Sequence, residues 1–207
     1  MSERCPDPPD RLPQPRRAEL RELQARLTRI YARSGPHPML WTQWRFYGPI
    51  PAGRFDHHLE PRREQGRGIL YACIASEGVS GLEAAIAETF QDSRFIERFD
   101  RERWAVIWTP ERPLTLLDLD SHWTTRAGGS RALTAGSRKV SQRWALAIYE
   151  QLEDIDGLTW RSSVVGHGRC VALWERATDS LPEHPGFNRA LLDHLEEIAE
   201  RIGYEIL

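Results

Sequence analysis

The sequence predicts an α+β domain, and three observations carry that reading. Apolar runs of strand length alternate irregularly with segments of helical periodicity, without the βαβ rhythm of a doubly wound sheet. A chain of 207 residues fits one domain with appendages and can bury a substantial core. Residues 68–88, GILYACIASEGVSGLEAAIAE, read in succession as strand, turn and helix. Glu77 and Gly78 break the apolar run, after which Val79, Leu82, Ile86 and Phe90 recur at spacings of three and four. Gly81, Ala84, Ala85 and Glu88 make a second face, a ridge of small residues ending in a carboxylate. Such a ridge lets another element, or a ligand, come close.

Along the chain, residues 1–14 are rich in Pro, Asp and Arg and read as a disordered tail. Residues 15–40 read as an N-terminal helix appended to the core. Pro15 stands at a first helical position, Leu20, Leu23, Leu27 and Ile30 form its stripe, and Gly35 ends it. Arg16, Arg17, Arg21, Arg26, Arg29 and Arg33 then form a solvated face beside Glu19 and Glu22. Residues 41–207 form the main domain. Within it, 41–47 (WTQWRFY) is strand-like and 53–68 is a charged loop. Residues 93–98 read as a helical turn, and 104–108 and 114–119 as β-type runs joined through Pro110 and Pro113. Residues 121–136, with three glycines among them, should be irregular. A helix over 137–152 places Val140, Trp144, Ile148 and Leu152 in line. Two strands, 158–163 and 170–174, flank a VGHGR turn. A last helix begins near Phe187, with Leu191, Leu195, Ile198 and Ile202 on its apolar face and Gly203 at its end.

Composition narrows the function classes. Hydrophobic residues at 40% and charged residues at 28% suit a soluble globular protein. A net charge of −2 argues against nucleic-acid binding driven by the whole chain's charge. Lys139 is the only lysine, so positive charge is carried by guanidinium forks suited to phosphate. Cys5, Cys73 and Cys170 make no CxxC pair; Cys73 and Cys170, inside apolar strand-like runs, read as small hydrophobes, and a reducing compartment is expected. The N-terminus lacks the apolar core of a signal peptide, and no run approaches the ~20 residues of a membrane span. A cytoplasmic protein without membrane contact is expected. P-loop, GxGxxG, HExxH and GxSxG signatures are absent from the sequence. Asp56, His57, His58 and Glu60 are the one cluster hinting at a metal, and without a second ligand set they read as an exposed polar loop. His167, between two glycines, reads as a turn residue.

Four polar residues sit oddly in their surroundings: Arg54 before Phe55, Tyr71 inside an apolar strand, Glu88 ending the small-residue ridge, and Ser162 ending a strand. Singly each has an ordinary structural explanation, and the residues alone leave function open. Their contexts, in order, resemble those of the RES domain family, named for its Arg, Glu and Ser. The resemblance runs over about 45–175 through GRFDHH, ILYACIAS, LEAAIAETF, LTLLDL, RKVSQRWALAIYEQ, DGLTWRSS and RCVALWE. It implies an ADP-ribosyltransferase-like fold, a mixed sheet with flanking helices. It also implies a toxin-like enzyme of a bacterial toxin–antitoxin system that breaks the nicotinamide–ribose bond of NAD by hydrolysis or phosphorolysis.

NAD would then be substrate, with no resident cofactor, and a helix-turn-helix antitoxin would be the partner. Glu88, Arg54 and Ser162 would form the catalytic set, with Tyr71 packed on nicotinamide and Arg54 on phosphate or ribose. Arg45, in WRFY, is a second arginine–aromatic pair that could share or take the role of Arg54. ADP-ribosyl transfer to a macromolecule and a catalytically idle interaction module are the alternatives. Homo-oligomer formation is left open.

Overall fold

The computed structural model describes residues 5–191 and 195–207. Its strands are β1 (Leu20–Leu23), β2 (Leu27–Ala32), β3 (Arg45–Gly48), β4 (Arg63–Ile74), β5 (Phe95–Ile96), β6 (Arg103–Trp108), β7 (Leu114–Asp118), β8 (Gly157–Arg161), β9 (Arg169–Trp174), β10 (Phe187–Ala190) and β11 (Glu205–Ile206). The helices are α1 (Gly81–Thr89), α2 (His122–Arg126), α3 (Ala132–Ala135), α4 (Arg138–Gln151) and α5 (Leu195–Ile202). The fold is α+β, as the sequence predicts. None of the described helices is long and apolar enough to cross a membrane.

A nine-stranded sheet runs in the order β1-β7-β8-β9-β4-β2-β6-β10, with β3 also on β4. It is mixed: β7 and β8 run parallel, while the other pairs are antiparallel. The ladder is firm on both sides of one weak seam. β2 pairs with β6 over six positions, and β4 with β9 over six. β2 and β4 pair only through Leu27 with Ile74 and Thr28 with Cys73, although both strands continue beyond that point. The sheet therefore parts after Thr28.

Helix α1 lies over this seam. It starts at Ser80, whose hydroxyl accepts from the Glu83 backbone N–H at 3.0 Å, a standard way to satisfy an open first-turn donor. A Cβ on Gly81 would stand 2.7 Å from Thr28 Oγ1, so only glycine lets the first turn seat on β2. Ala84 and Ala85 pack in one core cluster with Ile69, Cys73 and Cys170. In the same cluster α4 buries Trp144, Ala145 and Ile148 against Trp123 and Leu158. Ile86 and Phe90, on the far side of α1, join Leu195 and Ile198 of α5. The opposite sheet face is packed by Leu27, Leu70, Val106, Trp108, Val171 and Leu173.

The N-terminal region differs from expectation. Residues 15–40 are not a helix: they supply β1 and β2, and β2 is internal to the sheet. Leu20, Leu23, Leu27 and Ile30 imitate a helical stripe because their spacing spans two short strands. β2 is buried on both faces, so it lacks the alternation that marks a strand with one wet face. Arg29, expected in solvent, is buried there. The described part of the tail, residues 5–14, is also ordered by contacts. Trp144 Nε1 donates to Pro6 O and Trp123 Nε1 to Pro13 O, each at 2.8 Å, and Gln151 Oε1 accepts from Leu12 N.

Other differences follow from pairing that local pattern cannot show. Residues 187–190 form β10 on β6, and the helix expected from Phe187 is α5, with 192–194 outside the described residues. Residues 95–96 pair with β11 rather than making a helical turn. The stretch 121–136 contains α2 and α3, anchored by the fully buried Trp123. The segment 53–68 is no exposed loop. Asp56, His57 and His58 are buried, and β4 begins at Arg63.

Candidate active site

Where β2 and β4 part, a cavity of about 240 Å³ opens beneath α1. Thr28, Arg29 and Ile30 of β2 line one side, and Tyr71, Ala72 and Cys73 of β4 the other. Ala85 and Glu88 of α1, Trp160, Ser163 and Cys170 contribute further walls, and Arg54 and Arg138 add charge.

Glu88 stands in the last turn of α1 and is held from three directions. Ser162 Oγ donates to its Oε1 at 2.6 Å, Cys170 Sγ–H approaches the same oxygen at 3.4 Å, and Gln91 Nε2 lies 3.4 Å from Oε2. No arginine, lysine or histidine forms an ion pair with Glu88 among the described residues. Ser162 follows the end of β8 and is itself fixed. Its N–H donates to Gly168 O at 2.7 Å, and its hydroxyl accepts from the N–H groups of Val164 and Val165, each at 3.0 Å. Ser162 thus stands behind Glu88 rather than in the cavity wall, where its neighbour Ser163 is exposed.

Arg54 is delivered by a turn that α4 holds in place. Gln142 Nε2 donates to Ile50 O at 2.9 Å and to Gly53 O at 2.7 Å. Phe55, fully buried, packs on Trp160 with ring centroids 4.5 Å apart. A Cβ on Gly53 would come 3.0 Å from Tyr71 Oη and 3.2 Å from Asp56 Cβ, so the turn is tight. Arg54 Nη1 donates to Gly136 O at 2.8 Å, and no carboxylate lies within ion-pair range among the described residues. Burial and then the nearby Arg138 lower the Arg54 pKa, while Glu88 opposes them. The hydroxyl of Tyr71 is buried beside this turn without a hydrogen-bond partner. Burial first, and Asp56 next, push its pKa up, so the phenol is neutral.

The two arginine–aromatic pairs are separated by the geometry. Arg54 lines the cavity. Arg45 instead donates to Asp56 Oδ2 at 2.9 Å and to Tyr47 O, and it does not line the cavity. Asp56 is the buried hub of that loop, accepting also from Ile50 N at 2.7 Å and contacting His58 Nδ1. His57 lies against Tyr149 and Trp174, neither ring nitrogen hydrogen-bonded among the described residues and Nε2 4.0 Å from Glu175 Oε2, and burial holds its pKa well below the usual value. These histidines build the core, and among the described residues no cluster of three ligating side chains could hold a metal. The small-residue ridge also divides: Ala85 and Glu88 line the cavity, while Gly81 and Ala84 pack on protein.

Sequence reasoning missed Arg138, Arg29, Cys73 and Cys170 as cavity residues. Arg138 opens α4 and reaches Gln91 Oε1 at 3.4 Å. The guanidinium of Arg29 donates to Trp41 O at 2.9 Å and Gln43 O at 3.2 Å, and burial lowers its pKa to about 10, so it stays charged near neutrality. Arg54 and Arg138 thus stand at the cavity with Glu88, the one carboxylate lining it among the described residues, while the Arg29 guanidinium is turned away toward residues 41–43. That excess of positive charge suits a ligand bearing more than one negative charge, such as a pyrophosphate.

Comparison with known proteins agrees with this architecture. The RES domain family model matches residues 26–192. The fold is similar to that of a chain in the crystal structure of the M. tuberculosis MbcT-MbcA toxin-antitoxin complex, with a TM-score of 0.54 and 11% identity. The likeness covers 87% of this chain and 90% of that one, and at this identity it is a likeness of fold. No curated protein matches the chain.

Proposed function

The chain belongs to the RES domain family, and from that premise we propose that it cleaves the nicotinamide–ribose bond of NAD as the toxin of a toxin–antitoxin pair. The observation that carries this reading is Glu88. Among the described residues it is the one carboxylate lining a cavity otherwise charged by arginines, and Ser162 pins it at 2.6 Å.

Departure of nicotinamide leaves a ribose with oxocarbenium character, as in glycosidic cleavage generally. A fixed carboxylate stabilises that developing positive charge, and because it is already oriented it need not reorganise during the reaction. Nicotinamide departs neutral, so no strong general acid is required. Arg54 and Arg138 supply guanidinium forks for the pyrophosphate. The ring of Tyr71, which lines the cavity, offers a face for nicotinamide. Ser162 acts by holding Glu88. Water or inorganic phosphate would then capture the ribosyl centre.

The fold's likeness to a chain of a toxin–antitoxin complex supports an antitoxin partner, and the family resemblance makes a helix-turn-helix protein the expected type. The test is incubation of purified protein with NAD labelled on the adenosine side, in buffer and in cell lysate. Free nicotinamide together with label in ADP-ribose or its 1-phosphate is the expected result. Label retained on protein would replace this reading by ADP-ribosyl transfer. Absence of nicotinamide release would leave the idle interaction module.

A further inference from the structure

We propose that Cys73 and Cys170 form an oxidisable dithiol in the cavity wall, which a peroxide closes to a disulfide and so disarms Glu88. The inference rests on the role proposed above for Glu88, and it extends that role to regulation. The two residues face each other in register across β4 and β9. Directly opposed residues of antiparallel strands have Cα atoms about 4.5–5.5 Å apart, within the roughly 4.4–6.8 Å that a disulfide spans. Their sulfurs are 3.9 Å apart, both thiols are free, and both residues line the cavity, which admits a molecule as small as hydrogen peroxide. Cys5, the remaining cysteine, does not line it.

The pair is coupled to Glu88 by hydrogen bonds. The Cys73 thiol donates to Cys170 Sγ, and the Cys170 thiol donates to Glu88 Oε1 at 3.4 Å. Oxidation breaks this relay. One cysteine, as thiolate, attacks a peroxide oxygen, giving a sulfenic acid and hydroxide. The second then attacks the sulfenic sulfur and expels a second hydroxide. Two thiol protons convert the hydroxides to water, and two electrons pass to the peroxide. The sulfurs close from 3.9 Å to about 2.05 Å, and the S–H donor to Glu88 is gone. The neighbouring Cys73 thiol, burial and the Glu88 carboxylate together push the Cys170 thiol well up, which makes the reaction slow at neutral pH and faster as pH rises.

The experiment treats the full chain with hydrogen peroxide and maps its peptides without reduction. A linked Cys73–Cys170 peptide, two hydrogens lighter, is expected. Nicotinamide release should fall at least tenfold and return with dithiothreitol. A Cys73→Ala protein should keep its own untreated rate after the same exposure. Failure to link the two cysteines overturns the proposal, as does a linked protein with an undiminished rate. If the reduced protein releases no nicotinamide, the proposed function fails, and the peptide map alone then decides the dithiol: linkage upholds it and no linkage overturns it.

Discussion

Substituting Ser162 by alanine deletes a hydroxyl that donates to Glu88 Oε1 at 2.6 Å and accepts from two backbone N–H groups at 3.0 Å. A hydrogen bond to a charged group is worth about 1.5–3 kcal/mol. Ser162 is half-buried, so water can replace part of it, and the lower half of that range applies. At 1.36 kcal/mol per factor of ten, the expected loss is about 10- to 40-fold in rate. The fall should appear in kcat and leave KM nearly unchanged, because Ser162 does not line the cavity. The orphaned N–H groups of Val164 and Val165 sit on a largely solvent-accessible loop, so stability should drop by no more than about 1 kcal/mol. Steady-state nicotinamide release, read beside urea unfolding of the same protein, measures both. A rate within twofold of wild type would refute the claim that Ser162 orients the carboxylate.

Further outcomes follow from the same geometry. Arg54→Ala should weaken NAD binding at least tenfold by titration calorimetry with little loss of stability, since its recorded hydrogen bond is to one carbonyl. Arg45→Ala should instead cost about 3 kcal/mol in denaturant unfolding, because it leaves the fully buried Asp56 without its cation. Stability should also fall as pH drops below about 6.5. His57 has a folded-state pKa held well below that of the unfolded chain, so the unfolded state takes up the proton first. Asp56 and Asp118, lowered in the folded state, add a loss of the same sign in the carboxylate range. Urea midpoints between pH 7.5 and 5 measure the histidine branch, which His57→Phe should remove. An unchanged profile in that variant would place the effect elsewhere.

What the sequence disclosed followed physical lines. The strand–turn–helix of residues 68–88 was legible because its breaker and its apolar face are both local. So was α4, whose Trp144 and Ile148 fall on one side. The N-terminal strands were not legible, because β2 is made a strand by pairing with β6, far along the chain. At the site, Arg54, Tyr71 and Glu88 were found through family context and line one cavity. Ser162 stands one step behind it, and Arg45 serves the Asp56 loop. Cys73 and Cys170 lie 97 positions apart, and Arg138 opens a helix remote from both. Only the β4–β9 register and the parting of β2 from β4 bring them together, and neither leaves a local mark.

The central claim, that Glu88 drives cleavage of the nicotinamide–ribose bond, is tested most directly by nicotinamide release from Glu88→Gln. Glutamine keeps the shape and can still meet Ser162, but it removes the negative charge. The account predicts a rate at least about 100-fold below wild type, with an unfolding midpoint close to that of the parent protein. Turnover at the wild-type rate in a folded Glu88→Gln protein would contradict it.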